Sequence, residues 1–153
     1  MSTLRGHALV TGAARGIGFA TAVRLAGEGA RVCITDLDPV ALDQAVALAA
    51  KSGFELEAMV MDSSNADDTA TRIGQCIQRH ARLDILVNNA GGSLHTPYRF
   101  LEENDAHWQR VMDLNVMGAV WASRAALPAM TAQGHGRIIN FGSKAGRFAS
   151  LIA

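Results

Sequence analysis

The sequence is poor in the features that mark several common classes of protein. Lys plus Arg number 14 and Asp plus Glu number 14, so no excess of positive charge predicts binding to nucleic acid or to a membrane surface. No apolar run approaches the ~18 residues of a membrane span, and the first residues form no apolar core of a signal peptide. We therefore expect a cytoplasmic protein with neither a nucleic-acid nor a membrane partner.

Patterns typical of disulfides and metal sites are also missing. The two cysteines, Cys33 and Cys76, form no CxxC, and both lie in apolar segments, so we interpret them as reduced core residues. The five histidines are scattered and include no HExxH or comparable pair, so we expect no metal site.

What the sequence does contain is an alternation of short apolar runs and helical patterns. Apolar runs predict strands at 8–10, 32–34, 55–61, 85–87 and 138–141, and periodicity predicts helices at 16–28, 40–50, 67–80 and 105–130. This order predicts right-handed βαβ units in an α/β fold with a doubly wound parallel sheet, a Rossmann-like three-layer α/β/α arrangement. Continuous apolar runs are typical of fully buried parallel strands. Asp38 is a predicted helix cap, with Pro39 in the first turn.

Ligands of such sheets bind beyond the carboxyl ends of the strands, and the first of these ends carries the segment "TGAARGIG". Its glycines allow a sharp turn and a close approach of a pyrophosphate, and the following helix offers free N–H groups. The spacing differs from G-x-G-x-x-G, and no Gly-Lys-Ser/Thr follows, so a plain turn stays an alternative. The cofactor-binding residues predicted here are Gly12, Arg15, Gly16, Ile17 and Gly18.

The second strand end carries an acid, Asp36, which follows Gly18 by 18 residues. A carboxylate at this distance accepts the ribose hydroxyls of adenosine and repels a 2′-phosphate, which favours NAD over NADP. Arg15 favours NADP instead, because a cation in the glycine segment suits a 2′-phosphate. We give the carboxylate more weight, since a buried clash between it and a phosphate is hard to offset.

The third strand end carries "VMDSSN". Asp62 is placed to accept a hydrogen bond from the adenine amino group, with Ser63 beside it as a further cofactor-binding residue. A helix cap is an equal alternative for Asp62, because Asp-Ser-Ser-Asn is also typical of a helix start.

The fourth strand end and the long helix add amides. In "VNNAGG", Asn88 and Asn89 are suited to pin neighbouring backbone, while Ala90 and Gly91 leave room for a flat ring. Asn115, in "DLNVMG", is a poor helix former flanked by apolar residues, and we expect it to be buried and hydrogen-bonded. A satisfied core amide without a catalytic role stays the alternative for Asn115.

Taken together, these segments resemble the short-chain dehydrogenase/reductase family. The matches are "TGAARGIG", Asp36, Asp62, "NNAG" at 88–91, Asn115 in "LNVMG", and "GRIINFGS" ending at Ser143. The resemblance covers the chain from about His7 onward and implies a nicotinamide-dependent oxidoreductase that transfers a hydride to or from an alcohol or ketone. It also implies a homo-oligomer, typically a tetramer. Residues 1–153 are thus expected to form one NAD(P)-binding Rossmann domain.

The resemblance further implies catalytic roles. The counterpart of Ser143 bonds the substrate oxygen, and the counterpart of Asn115 holds a water of a proton relay. The family's acid/base is a tyrosine, whose pKa is lowered by a lysine four residues later. The only tyrosine, Tyr98, is followed at that distance by Glu102. We therefore expect the Tyr/Lys pair beyond residue 153, and a domain truncated at its C-terminus.

Two other functions stay open. A non-catalytic dinucleotide-binding protein or truncated paralogue would bind cofactor without turnover. A methyltransferase also uses a glycine-rich turn and an acid, but it has no use for Ser143. The substrate is open as well, because the predicted pocket loop mixes polar and apolar groups, namely Leu94, His95 and Tyr98. Polyols, cyclic alcohols, hydroxysteroids and 3-oxoacyl thioesters all fit.

Overall fold

The computed structural model describes residues 6–94 and 100–143. The strands are β1 (His7–Thr11), β2 (Arg31–Asp36), β3 (Leu56–Val60), β4 (Ile85–Asn88) and β5 (Arg137–Asn140). The helices are α1 (Gly16–Gly27), α2 (Pro39–Lys51), α3 (Ala66–His80), α4 (Asp105–Met112) and α5 (Gly118–Ala132). A short 3₁₀ turn covers Phe100–Glu102, and one π-helical turn, Asp113–Met117, joins α4 to α5.

The five strands form one parallel sheet in the order β3-β2-β1-β4-β5. Alternate side chains of β1 point to opposite faces, as the period of a strand requires. Val10 lies in a cluster with α1 and α2, whereas Leu9 lies in a second cluster with α3 and α5. The doubly wound, three-layer α/β/α prediction is therefore confirmed. The strand order reverses between β1 and β4, which places a crevice at their carboxyl ends.

The prediction that every strand is fully buried is wrong for the two outer strands. β1 is buried at every position, but β3 alternates between covered and exposed side chains, and most of β5 is exposed. Both lie at sheet edges, where the described residues cover only part of their surface. No helix in the described ranges has the length and apolar content that crossing a membrane requires.

Local sequence signals explain where several helices begin and end. Asp38 caps α2 by accepting from the backbone N–H of Ala41 at 3.0 Å, and Pro39 occupies the first turn, as predicted. Gly29 follows α1 with a φ of +94°, a conformation that favours glycine. The cysteine prediction is also confirmed, because Cys33 and Cys76 are free thiols buried in the core.

The long helix predicted over 105–130 is interrupted by the π turn and extends to Ala132. The side-chain amide of Asn115 donates to the carbonyl of Val111 at 2.9 Å, four residues earlier, where a regular helix has a backbone donor. The backbone N–H of Gly118 donates to the carbonyl of Asp113, five residues earlier. The helix is therefore locally widened at Asn115, as π turns at functional sites often are.

Candidate functional site

A cleft of about 650 Å³ lies at the carboxyl edge of the sheet, and it brings together most of the predicted site residues. Eight predicted cofactor-binding residues line it: Gly12, Arg15, Asp36, Asp62, Ser63, Asn89, Ala90 and Gly91. The other three, Gly16, Ile17 and Gly18, form the start of α1 and are not part of this lining.

Two loops that follow neighbouring strands are locked together beneath the cleft. The side-chain amide of Asn89 donates to the carbonyls of Thr11 and Gly12 at 3.0 and 2.8 Å. Gly12 has a φ of +60°, and a Cβ there would lie 2.7 Å from the Cα of Ala90. A Cβ on Gly18 would lie 2.5 Å from Nδ2 of Asn89. Glycine is therefore required by loop packing at both positions, and the predicted pinning role of Asn89 is confirmed.

The start of α1 differs from the starts of the helices around it. Asp38, Asn65 and Asn104 each cap their helix with a side-chain oxygen, on α2, α3 and α4 respectively. Arg15 precedes α1 with extended backbone and makes no side-chain cap. No described side chain accepts from the first-turn N–H groups of α1, and together with the helix dipole these groups suit an anion.

Asp36 is fixed at the end of β2 by backbone donors. Its Oδ2 accepts from the N–H of Ala14 at 3.2 Å, and its Oδ1 accepts from the N–H of Asp38 at 3.3 Å. The guanidinium of Arg15 donates to Oδ2 of Asp38 at 2.9 Å. The pKa of Asp38 is lowered, first by the N–H of Ala41 and then by Arg15. Arg15, the cation of the glycine segment, is thus paired with Asp38 and not with Asp36.

Asp62 forms a tight turn with the residues that follow it. Its Oδ1 accepts from the N–H of Ser64 at 2.9 Å and from the hydroxyl of Ser64 at 2.6 Å. The cap of α3 is Asn65, so the helix-cap alternative for Asp62 is wrong. Oδ2 of Asp62 has no hydrogen-bond partner among the described residues, and it stays available as an acceptor in the cleft.

Asn115 is bonded as predicted, but its side chain is exposed within the described chain and not buried. Asn115 lies in the π turn of the long helix, where the described residues cover only part of the helix surface. Its Oδ1 accepts from the N–H of Gly92 at 3.0 Å, and its Nδ2 donates to the carbonyl of Gly92 at 2.9 Å. A Cβ on Gly91 would lie 2.9 Å from Oδ1 of Asn115. Asn115 therefore holds the loop that follows β4, and the water-binding role stays a prediction.

Ser143 lies three residues beyond β5 and is exposed. β5 is aligned by Asn88, whose amide donates to Oδ1 of Asn140 at 2.8 Å and to the hydroxyl of Ser123 at 3.3 Å. This places Ser143 beyond the same sheet edge as the cleft. Of the predicted substrate loop, Leu94 lines the cleft, and His95 and Tyr98 lie outside the described residues.

Sequence reasoning missed several residues of the cleft. Arg110 and Leu114 lie one helical turn apart and line the cleft from the long helix. Their four-residue spacing puts both on one side of the helix, but neither follows a strand, and the spacing does not indicate that this side meets the cleft. The remaining missed residues are Leu37, Met61 and Ser64, each a neighbour of a predicted residue. No group of three metal-binding side chains occurs within 6–94 and 100–143.

Comparisons with known proteins agree with this architecture. A galactitol 2-dehydrogenase (L-tagatose-forming) from Cereibacter sphaeroides is 39% identical over 140 residues, which are 91% of this chain and 53% of that protein. A 3-oxoacyl-acyl-carrier-protein reductase from Synechocystis sp. is 40% identical over 140 residues, which are 91% of this chain and 56% of that protein. The chain thus spans about half the length of these relatives.

Solved structures match as well. A metagenomic short-chain oxidoreductase in complex with NADP is 37% identical with a TM-score of 0.83, and the match covers 95% of this chain and 65% of that chain. The family model described as short chain dehydrogenase matches residues 6–152. These matches agree with the architecture described above, in which a cleft lies at the strand ends above two interlocked loops. The chain belongs to the short-chain dehydrogenase family.

Proposed function

We propose that the protein is an NAD(P)-dependent oxidoreductase acting on an alcohol or ketone. The observation that carries the proposal is one cleft that is lined by an acid fixed by backbone donors and by Arg15, the residue that precedes a helix start without a side-chain cap. When bound, the nicotinamide cofactor supplies or accepts the hydride. One of the relatives described above is named a dehydrogenase and the other a reductase. These names correspond to the two directions of hydride transfer in the proposed reaction.

Each part of the cleft has chemistry that suits one part of a dinucleotide. The free N–H groups at the start of α1 suit the pyrophosphate. Asp36 suits the hydroxyls of the adenosine ribose, and Asp62 offers Oδ2 to the adenine amino group. Asn89, Ala90 and Gly91 line the remaining part, where the nicotinamide ring would lie.

We propose NAD as the preferred cofactor, with NADP less favoured. Asp36 would repel a 2′-phosphate, and Arg15, the cation of the glycine segment, is paired with Asp38. A similar solved short-chain oxidoreductase is in complex with NADP, so NADP is the alternative that the experiment must include. Calorimetric titration of the chain with NAD and with NADP tests the preference directly. Tighter binding of NADP would contradict it.

We assign supporting catalytic roles to Ser143 and Asn115. A hydroxyl beyond β5 suits a hydrogen bond to the substrate oxygen, and the amide of Asn115 fixes the loop after β4 near it. In a full-length protein that carries the expected Tyr/Lys pair, Ser143→Ala is expected to lower turnover by roughly 10²-fold while leaving NAD affinity unchanged, the scale of one lost transition-state hydrogen bond. Unchanged turnover would remove Ser143 from the mechanism. NAD binding without oxidation of any alcohol would favour the non-catalytic alternative.

We also propose that the protein forms a homo-oligomer, a tetramer by family resemblance. Trp108, Met112, Val116 and Val120 recur every four residues along the long helix, and all four side chains are exposed. An exposed apolar stripe of this kind favours association. Light scattering after gel filtration should give a multiple of the single-chain mass. A monomer at all concentrations would contradict the proposal.

A further inference from the structure

A second cavity lies at the opposite edge of the sheet from the cleft. This cavity, which we call the basal pocket, has a volume of about 380 Å³. Its lining residues are Gly6, His7, Gly29, Arg31, His80 and Arg82. β1 begins at His7 and β2 at Arg31, so the basal pocket lies at the amino ends of the strands. Five residues of strand span about 16 Å, which separates the basal pocket from the dinucleotide cleft.

Among the residues that the structure describes, four basic side chains and no carboxylate line the basal pocket. Its two arginines differ in how they are paired. Arg82 donates to both oxygens of Asp84, at 2.8 and 2.6 Å. The guanidinium of Arg31 is exposed and has no hydrogen-bond or ion-pair partner among the described residues. Arg31 therefore contributes a positive charge that the surrounding chain does not neutralise.

Two histidines form the wall of the basal pocket. The rings of His7 and His80 are stacked, with centroids 3.6 Å apart and planes at 24°. His80 is anchored through Nε2, which lies 3.0 Å from Oε2 of Glu57. His7 is 5% exposed, and its Nδ1 is buried without a partner in the described chain. Such an unpaired buried nitrogen is uncommon in a folded chain, and the Nδ1 of His7 is closed off from the open part of the basal pocket.

The carboxylates near the basal pocket are already engaged. Glu57 accepts from Arg79 at 3.3 Å as well as contacting His80. Asp84 accepts from the N–H of His7 at 2.7 Å and lies 2.6 Å from Nε2 of His135. Burial and the neighbouring His80 lower the pKa of His7, so this ring is neutral at neutral pH. The positive character of the basal pocket therefore rests chiefly on Arg31.

We propose that the basal pocket binds a phosphate group, either free or carried by a small metabolite, with Arg31 as its charge partner and the histidine wall as its hydrogen-bonding side. A tetrahedral oxyanion matches a guanidinium flanked by imidazoles, and an arginine binds phosphate through two parallel donors. The site would tie the amino ends of β1 and β2 together, independently of the dinucleotide cleft.

The test is a titration of the full chain with inorganic phosphate at constant ionic strength and pH 7, followed by NMR of the imidazole nitrogens. The rings of His7 and His80 should shift saturably, whereas the ring of His107 on α4 should not. Arg31→Gln should weaken binding at least tenfold, because it removes the charge partner of the phosphate. The guanidinium of Arg31 has no hydrogen-bond or ion-pair partner among the described residues, so the variant should fold. Arg24→Gln, which removes an exposed arginine of α1 outside the basal pocket, is the matched control and should leave binding unchanged.

A parallel titration with glycerol 3-phosphate separates the two sources of the phosphate group. Tighter binding of the ester than of inorganic phosphate would identify a small metabolite as the ligand, and equal binding would identify free phosphate. The proposal is overturned if the His7 and His80 rings do not shift, if His107 shifts equally, or if Arg31→Gln binds phosphate as tightly as the unaltered chain.

Discussion

Strands β1 and β5 both carry apolar side chains, yet one is buried throughout and the other is largely exposed. Each residue of β1 is covered, because β2 and β4 flank it and helices pack on both faces. Within the described part of the chain β5 has a strand on one side only, and Ile139 is 43% exposed. An apolar run therefore makes a strand, but its burial depends on what lies beside it in the sheet.

The helices show the same contrast in how much of their apolar surface is buried. α2 buries Ala41, Leu42, Ala45 and Ala49 against the sheet. The long helix buries Ala122 and Ala126 but leaves Trp108 and Met112 about half exposed. Interactions at β1 should consequently dominate the free energy of unfolding, and those around β5 should contribute little within this chain.

The largest expected effect comes from comparing one apolar side chain in each strand, buried Leu9 in β1 and exposed Ile139 in β5. Leu9→Ala on β1 should lower the free energy of unfolding by about 3 kcal/mol, because Leu9 is fully buried and its loss leaves a cavity. Ile139→Ala on β5 should cost less than about 1 kcal/mol, since much of its side chain already meets solvent. Urea unfolding measures both. Equal losses would mean that β5 is covered in solution, for instance by a second copy of the chain.

A second comparison uses two glycines with similar backbone. Gly12 follows β1 with a φ of +60°, and Gly134 precedes β5 with a φ of +74°. Either change to alanine incurs strain of about 1–3 kcal/mol from the positive φ. Only Gly12→Ala also drives a Cβ to 2.7 Å from the Cα of Ala90, whereas a Cβ on Gly134 meets nothing within 4 Å.

Gly12→Ala should therefore destabilise the chain more than Gly134→Ala and should also abolish measurable NAD binding. Thermal unfolding and calorimetry report the two effects separately. If Gly134→Ala weakened NAD binding as much, or Gly12→Ala were tolerated, the packing of the two loops would not be what shapes the cleft.

The third prediction concerns Asp84, which links the amino ends of both strands by contacting His7 of β1 and His135 before β5. Burial raises its pKa, but hydrogen bonds from Arg82, His7 and His135 outweigh this and lower it to about 2, from 3.8. Because the folded pKa lies below the unfolded one, the stabilisation is present above pH 3.8. It is lost as the pH falls towards 2, and amounts to about 2 kcal/mol.

Urea unfolding at a series of pH values between 2 and 5 tests this loss. Asp84→Asn should flatten the pH dependence, while Asp43→Asn, at an exposed carboxylate on α2, should leave it intact. An unaltered slope in Asp84→Asn would mean that another group supplies the acid sensitivity.

The smallest expected effect is a change in cofactor affinity caused by substituting Asp36, at the end of β2, the strand next to β1. Asp36→Asn should weaken NAD by roughly tenfold, about 1.4 kcal/mol, and should narrow or reverse the preference over NADP. Asp43→Asn, at an exposed carboxylate of α2 that does not line the cleft, serves as the matched control. Its NAD affinity should be unchanged. Equal effects of the two variants would take Asp36 out of the ribose site.

The strand-end residues were predictable because parallel strands bring their carboxyl ends to one edge. Asp36, Asp62 and Asn89 each follow a short apolar run directly, and all three line the same cleft. Local chemistry also sufficed for Asp38 at the start of α2, since an acid before a proline is a strong start signal.

The rest depends on contacts between distant segments. Arg110 and Leu114 reach the cleft only because the long helix crosses beside the loop that follows β3, which no local pattern indicates. At the π turn the Asn115 side chain bonds Gly92, 23 residues away, as well as Val111, and the first of these contacts has no local signal. The exposure of β5 likewise depends on its position at the sheet edge.

The most direct test of the central claim is calorimetric titration of the 153-residue chain with NAD and, separately, with S-adenosylmethionine. The account predicts saturable binding of one NAD per chain, weaker binding of NADP, and no binding of S-adenosylmethionine. Absence of NAD and NADP binding, or binding of S-adenosylmethionine in their place, would contradict the assignment of the cleft as a nicotinamide-dinucleotide site.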